Sequence, residues 1–178
     1  MIVNKETVAM PRISEESAKI ISSMPPIVYL RNNEDEDLTM SGYYILPPVK
    51  YPNGGYYLKI GRLGLLLDCQ NPTLAEITEW YNCTGDPKQV HELSRDLKKM
   101  LPSIEFEEIS SKTCLTCHNE TSLPYIDRIT PTFSIAVVGN GVGASISDEV
   151  GRIAAELSIN GNWDSELPKP LFEAIFKE

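Results

Sequence analysis

A glycine-rich turn between an apolar segment and a helical pattern is the first place where the sequence could support chemistry. The apolar segment is 133–138, and Gly-Asn-Gly-Val-Gly-Ala follows at 139–144. Glycines let a backbone approach a ligand closely, and a helix N-terminus offers free N–H groups with a partial positive charge. Gly139, Gly141 and Ala144 satisfy the dinucleotide pattern G-x-G-x-x-A, but the following residues do not supply the second strand and acidic residue of a complete unit. We therefore expect either a tight turn without a ligand or a ligand at this helix end outside a complete dinucleotide fold.

A C-x-x-C-H motif at 114–118 is the second candidate, because it matches the attachment pattern of c-type haem. Read literally, Cys114 and Cys117 would form thioethers and His118 would be the axial ligand. The flanking residues predict strands, whereas such motifs usually lie on a helix, and no targeting segment for haem attachment is visible. No metal site is predicted either, because there is no second C-x-x-C and His91, among charged residues of a predicted helix, is expected at the surface. A redox pair and buried inert thiols stay open as alternatives.

Tyrosine is concentrated in the predicted antiparallel strands of the first third of the chain. Paired tyrosines across a hairpin commonly serve packing, and they also suit one wall of an apolar pocket with hydroxyl groups. Their spacing does not decide between the two. The chain lacks G-x-S-x-G, Walker A and H-E-x-x-H motifs, so serine hydrolase, P-loop and zincin chemistry have no support. The tyrosines are Tyr43, Tyr44, Tyr51, Tyr56 and Tyr57.

The elements that must position these residues are strands and helices in succession, which predicts an α+β fold. Ser14 is a candidate N-cap for a first helix, and Thr73 with Glu76 fits a capping box before a second. Pro-Asn-Gly-Gly at 52–55 is a strong hairpin signal, because Asn and Gly tolerate positive φ. The segment 133–138 predicts a buried strand, followed by a helix with Ser147 at its N-cap. Further strands are predicted at 27–30, 43–46 and 56–60, and apolar helix positions at Val90, Leu93, Leu97 and Met100.

Composition and charge are those of a folded, acidic chain. The 178 residues carry 16 Lys and Arg against 25 Asp and Glu, a formal charge of −9, and 42% of them are apolar. Without a basic stripe, nucleic acid is disfavoured as a partner, since phosphate binding needs a basic face. No apolar run reaches the ~18–20 residues of a membrane span and no signal peptide is visible, so a cytoplasmic location without a membrane partner is expected. Cys69, Cys83, Cys114 and Cys117 are then expected to be reduced thiols.

Four segments, taken together and in order, resemble the C-terminal half of FAD-dependent amine oxidoreductases of the sarcosine oxidase type, in the D-amino-acid oxidase superfamily. They are Tyr-Ile-Leu-Pro-Pro-Val-Lys-Tyr-Pro-Asn-Gly at 44–54, Tyr-Leu-Lys-Ile-Gly at 57–61, Cys114 with Pro-Tyr-Ile-Asp at 124–127, and the glycine loop with its helix at 139–157. The resemblance implies a partial FAD-dependent oxidoreductase fold. This fold would contain a mixed or antiparallel substrate-domain sheet with helices, plus the C-terminal strand and helix of the FAD domain.

The function that this resemblance implies is hydride transfer to FAD from the C–N bond of a secondary amine or amino acid, giving an imine. In the family, the cysteine at the position of Cys114 can be bonded covalently to the flavin. The helix N-terminus after the glycine loop would stabilise the negative charge on reduced flavin. The implied domains are 1–104, from the substrate-binding domain, and 105–178, from the FAD-binding domain. The implied cofactor contacts in the loop are Gly139, Asn140, Gly141, Val142, Gly143, Ala144 and Ser145.

Three further residues carry the implied chemistry or depart from it. Tyr44 matches a family tyrosine at the substrate site, and Arg62 is a candidate for a substrate carboxylate, with a surface arginine as the other interpretation. Ser145 aligns with a lysine that helps reduced flavin react with oxygen in family oxidases, so dehydrogenase activity and loss of activity both stay open. The family's N-terminal strand–G-x-G-x-x-G–helix, which holds the ADP half of FAD, is not found here. We therefore expect weak or no FAD binding by this chain alone; the alternatives are a remnant acting as an interaction module and, third, a haem protein.

Overall fold

The structure is a computed structural model that describes residues 1–30, 42–63 and 72–176. The chain divides into two compact units. We call Asn4–Leu115 the sheet unit, and Met1–Val3 together with Thr116–Glu178 the loop unit. This division is geometric, and the predicted assignment of 1–104 and 105–178 to two functional domains stays a prediction. Cys69 lies outside the described residues.

In the described residues, the sheet unit contains three helices and a five-stranded sheet; β1 begins and β5 ends at residues that belong to the loop unit. In chain order the elements are β1 Ile2–Ile13, α1 Glu15–Ile20, β2 Ile27–Leu30, β3 Gly42–Lys50, β4 Tyr56–Leu63, α2 Leu74–Asn82, α3 Pro87–Met100 and β5 Glu108–His118. The strand order is β2-β3-β4-β1-β5, and the β2–β3, β3–β4 and β4–β1 pairs are antiparallel. The predicted α+β class with an antiparallel sheet is confirmed.

The predicted hairpin joins β3 to β4. Gly54 has φ +82°, and the Asn53 side chain accepts a hydrogen bond of 3.0 Å from the Gly55 N–H. Both features are those expected of a tight turn that needs a left-handed residue. β3 is longer than predicted, because a register shift between Leu46 and Val49 accommodates two prolines that cannot donate to the ladder.

One face of the sheet packs against α1 and α3 to form the core of this unit. Leu93 and Leu97, one turn apart on α3, are fully buried against Ile45, Leu58 and Ile60 of the sheet. The predicted apolar spacing of α3 is therefore confirmed. A polar pair lies in the same core, where the Tyr43 hydroxyl donates a hydrogen bond to Asp96.

The loop unit has its own core around an antiparallel strand pair and one long helix. Its elements are β6 Tyr125–Thr130, β7 Phe133–Val137, α4 Gly143–Asn160 and a short 3₁₀ turn at Lys169–Leu171. Ile126, Ile153, Leu157 and Phe172 form its buried hydrophobic cluster. The last of these packs against the Trp163 ring, with 5.3 Å between ring centroids.

Two sequence predictions for the loop unit are wrong. β7 is not a buried strand, because Phe133 is 56% and Val137 47% exposed, and in the described part of the chain β7 pairs only with β6. The helix does not begin at Ser147 either. α4 begins at Gly143, so the Ser147 hydroxyl lies inside the helix and donates to the Ala144 carbonyl.

Candidate functional site

The glycine loop of the loop unit, residues 138–142, connects β7 to α4 through an unusual backbone. Val138, Asn140 and Gly141 have φ of +66°, +48° and +78°. Left-handed backbone is costly for a residue with a side chain, and above all for a β-branched one such as Val138. Such a conformation persists only where the surroundings specify it.

Asn140 stabilises this backbone conformation through three hydrogen bonds. Its N–H donates to the Cys117 carbonyl at 2.9 Å, its Oδ1 accepts from the Asn119 N–H at 3.1 Å, and its Nδ2 donates to the Val138 carbonyl at 3.0 Å. A further backbone bond from the Val142 N–H to the Gly139 carbonyl, at 2.9 Å, closes the turn. The sequence predicted that this asparagine contacts a cofactor, whereas the structure places its side chain in hydrogen bonds within the protein.

His118 lies beside the loop in the same unit. A Cβ atom at position 141 would lie 3.5 Å from the His118 Cε1, at ordinary van der Waals distance, so the loop backbone lies close to the imidazole, and it is the φ of +78° that favours glycine at this position. The Nε2 atom of His118 lies 3.0 Å from the Thr116 hydroxyl, and burial lowers the pKa of the imidazole. The ring is therefore favoured in its neutral form beside the loop.

The N-terminus of α4 follows this loop and has no side-chain cap. The Ser145 hydroxyl turns back to donate to the Val142 carbonyl at 2.8 Å, and Val142 itself is 54% exposed. Gly143, Ala144 and Ser145 are thus residues of the first helical turn. The Ser145 N–H donates to the Val142 carbonyl at 3.0 Å. Other backbone N–H groups at such a helix end can bind an anionic or electron-rich oxygen, such as one on the flavin pyrimidine ring.

The sheet unit carries a tyrosine-rich cluster of buried and partly buried residues on the sheet face opposite α3. Tyr44 pairs in register with Gly61, which pairs in turn with Val8. The ring of Tyr44 lies over Gly61, where a Cβ atom would be 2.5 Å from ring carbons. The Lys59 ammonium lies 5.6 Å from the centre of that ring. The apolar cluster on this face, which we call the tyrosine face, consists of Val8, Met10, Tyr44, Tyr51 and Tyr57.

Tyr44 and Glu6, which lie close together on this side of the sheet, both have shifted pKa values. Burial, then the nearby Cys114 and Glu6, raise the pKa of Tyr44 to about 12. Burial also raises the pKa of Glu6 to about 7, and Arg62 opposes that shift. At neutral pH the tyrosine is therefore a hydrogen-bond donor, while the glutamate can exchange a proton with a ligand.

Arg62 does not join Tyr44 on this face. Its guanidinium makes a 2.7 Å ion pair with Glu92 of α3, and its side chain is only 14% exposed. It pairs in register with Tyr43, whose hydroxyl also points to α3. Arg62 is therefore not a surface arginine, and it does not lie on the same sheet face as Tyr44. Its Nε is buried without a hydrogen-bond partner among the described residues.

The cysteine motif lies on β5, as the sequence predicted in place of a helix. Cys83, Cys114 and Cys117 are free thiols. The Cys114 carbonyl accepts a 3.3 Å hydrogen bond from the Trp80 indole, which fixes the strand at that position. Among residues 1–30, 42–63 and 72–176, no group of three or more His, Cys, Asp or Glu side chains could hold a metal ion. His91 is exposed, as expected.

Sequence reasoning missed Glu6 and the supports of the glycine loop. The signal for Glu6 was present, because an acidic residue two positions before the apolar run at 8–10 would share a strand face with it. The contacts of Asn140 and His118 carried no such signal, since they join segments about 20 residues apart in the chain.

Comparison with known proteins gives a fold and no family. No protein-family model matches the chain, and no curated protein matches it. Among solved structures, the chain is similar to the L-proline dehydrogenase from P. horikoshii, with a TM-score of 0.54 and 16% identity. The match covers 97% of this chain and 39% of that one. In the described part of the chain, no helix has the length and apolar character needed to cross a membrane.

Proposed function

We propose that the chain is the C-terminal portion of an FAD-dependent oxidoreductase that oxidises the C–N bond of a secondary amine or amino acid. The supporting observation is that nearly the whole chain shares its fold with part of an L-proline dehydrogenase. L-proline is both a secondary amine and an amino acid, which is the substrate class that the sequence resemblance implies. The sarcosine oxidase-like assignment within that class belongs to the proposal as well.

The loop unit would supply the cofactor side. The uncapped first turn of α4 would hold the pyrimidine end of the flavin through backbone N–H groups, so the strained loop before it sets where those groups point. FAD, when bound, supplies the acceptor for the hydride. The exposed Ser145 hydroxyl is engaged with the backbone of its own turn, and we propose no proton transfer through it.

The sheet unit would supply the substrate side through the tyrosine face. Tyr44, held as a neutral phenol, can donate a hydrogen bond to a carboxylate, and its aromatic neighbours suit an apolar amine. An amine must lose its proton before its C–N bond can give up a hydride. Glu6 is the group on this face that could accept that proton near neutral pH. Arg62 is not proposed as a substrate contact, because its charge is paired with Glu92.

The test is complementation. The purified chain is expected to bind little or no FAD by itself, so its visible spectrum should lack a flavin band after gel filtration. Co-expression with the part of the L-proline dehydrogenase that this chain does not cover should produce a complex with a flavin band, bleached by L-proline or another secondary amine. The matched control is the same complex carrying Tyr44→Phe, which keeps the ring but removes the hydroxyl and should weaken substrate binding at least tenfold.

Each outcome separates the proposal from an alternative. A complex that forms and binds no flavin would overturn the proposal. A complex with bound flavin that no amine or amino acid reduces would favour a remnant that has lost activity. Cys114→Ser should release the flavin on acid precipitation if attachment is covalent, and flavin released from both proteins would mean that it is not.

A further inference from the structure

We infer that Asn140 is a positioning residue, which fixes the left-handed loop before α4 and thereby sets the direction of the helix's free N–H groups. This deepens the proposed function, and it rests on that function for the identity of the ligand. The predicted contact between Asn140 and the cofactor stays a prediction.

Each end of the Asn140 side chain makes a hydrogen bond within the protein. The Oδ1 accepts from Asn119 at 3.1 Å, while the Nδ2 donates to Val138 at 3.0 Å. An amide side chain has two donors and two acceptor positions, and one of each is used here in a bond within the protein. A residue held at both ends orients the backbone around it more effectively than it can orient a ligand.

The hydrogen bonds of Asn140 join segments that are distant in the sequence. The Asn140 N–H bonds to Cys117 at the end of β5, and the side chain bonds to Asn119 just beyond it. The loop is therefore hydrogen-bonded to the end of β5, and it leads directly into α4. If the hydrogen bonds to Cys117 and Asn119 were lost, the direction of the first turn of α4 would change.

Asparagine also suits the left-handed backbone at position 140. Asparagine is several-fold enriched in left-handed backbone relative to other residues with a side chain, and φ at Asn140 is +48°. Its neighbour Gly141, at φ +78°, lies close to the His118 ring. A single residue therefore meets the backbone requirement and supplies two side-chain hydrogen bonds, and it keeps Gly141 against the imidazole.

The experiment compares Asn140→Gly, Asn140→Asp and the control Asn162→Asp, which changes an exposed asparagine of the same unit. Glycine accepts the left-handed backbone but removes both side-chain bonds. Aspartate keeps an acceptor for the Asn119 N–H but loses the donor to Val138. Amide hydrogen exchange is measured on the free chain at Asn119 and at Val142, with Ile126 as a reference, because its N–H donates at 2.9 Å inside the unit's core.

In the glycine variant, exchange at Asn119 and Val142 should accelerate at least about tenfold, while exchange at Ile126 stays within about twofold. The His118 Cε1 proton resonance should also move, because Gly141 is released from the ring. In the aspartate variant, Asn119 protection should largely return, and the Asn162 control should match the wild type.

Two results would overturn the inference. Unchanged exchange at Asn119 and Val142 in the glycine variant would mean that the loop does not depend on Asn140. Equal acceleration at Ile126 would mean a general structural role and not a positioning one. Since no flavin is present in this experiment, its failure is distinguishable from failure of the complementation test.

Discussion

Glu6 is a partly buried acid close to the Tyr44 phenol. Burial disfavours the ionised carboxylate and raises its pKa from 4.5 to about 7, and the opposing charge of Arg62 does not cancel that effect. In the folded protein this carboxyl therefore binds its proton more tightly than in the unfolded chain. Its contribution to stability is full below pH 4.5 and is lost as the pH rises through 7.

Glu6→Gln should remove that loss, because glutamine is a neutral amide of nearly the same shape. We expect the free energy of unfolding of the variant, relative to the wild type, to increase by about 1–2 kcal/mol between pH 4.5 and 7.5, once solvent screening is allowed for. Urea unfolding at the two pH values measures this difference. The exposed Glu16→Gln is the control and should follow the wild type at both. An equal response of the two variants would contradict a buried, protonated Glu6.

Individual side chains are also where sequence reasoning is weakest. Arg62 has the charge to bind a substrate carboxylate. Its side chain points to α3, because the alternation of side chains along the strands places it on the sheet face opposite to that of Tyr44. The sequence contains that alternation; it does not contain the sheet partner that decides which side faces a helix. Ser145 shows the same limit, since its hydroxyl is used by a helix whose N-cap, Val142, lies five residues before the predicted N-cap, Ser147.

At the scale of elements, signals that act over a few residues predict the structure well. Ser14 accepts from the Ser17 N–H at 3.0 Å, and Thr73 forms a complete capping box with Glu76. Capping depends on residues three positions apart, so a single sequence contains all the information. The start of α4 lacks such a signal, because its N-cap is Val142 and the loop before it is held by non-local bonds.

The capping box of α2 permits a direct test of this local control. Thr73→Ala removes the acceptor of the Glu76 N–H and the hydroxyl that bonds to the Glu76 carboxylate. No residue of α2 is buried, so packing cannot compensate, and we expect a loss of ~1 kcal/mol in local helix stability, or about fivefold faster exchange of the Glu76 amide.

The matched control for the cap is Thr78→Ala in the same helix. Its hydroxyl donates to the Leu74 carbonyl, a bond that stabilises helices little, while alanine is the better helix former. Exchange in α2 should therefore be unchanged or slower in this variant. If Thr78→Ala destabilised α2 as much as Thr73→Ala, the capping box would not be what begins the helix.

For the whole molecule, the sequence resemblance predicted the class of fold, and the structural match agrees at that coarse level. The exposure of β7 was not predictable from its apolar residues, because burial of a strand depends on which strands pair with it and not on its own composition. Phe133 and Val137 have the character of core residues and yet lie at the surface of the described chain. An apolar pattern therefore predicts that a strand forms, while its burial depends on the other elements of the fold.

The two units have separate buried cores that share no residue. Ile60, 0% exposed, lies in the core of the sheet unit, and Ile126, 1% exposed, in that of the loop unit. Replacing either by valine removes one methylene at a cost of about 0.5–1.5 kcal/mol. We expect Ile60→Val to accelerate amide exchange in α3, and Ile126→Val to accelerate it in α4, each by roughly two- to tenfold.

Ile159→Val is the control for this pair, because that side chain is 78% exposed on α4 and its truncation should leave exchange in both helices unchanged. Hydrogen exchange followed by mass spectrometry reads α3 and α4 in one experiment. Acceleration confined to the mutated unit is expected, since local openings follow the packing that holds each element. If either valine variant accelerated both helices equally, the chain would open as one cooperative unit, and the two cores would not be independent in stability.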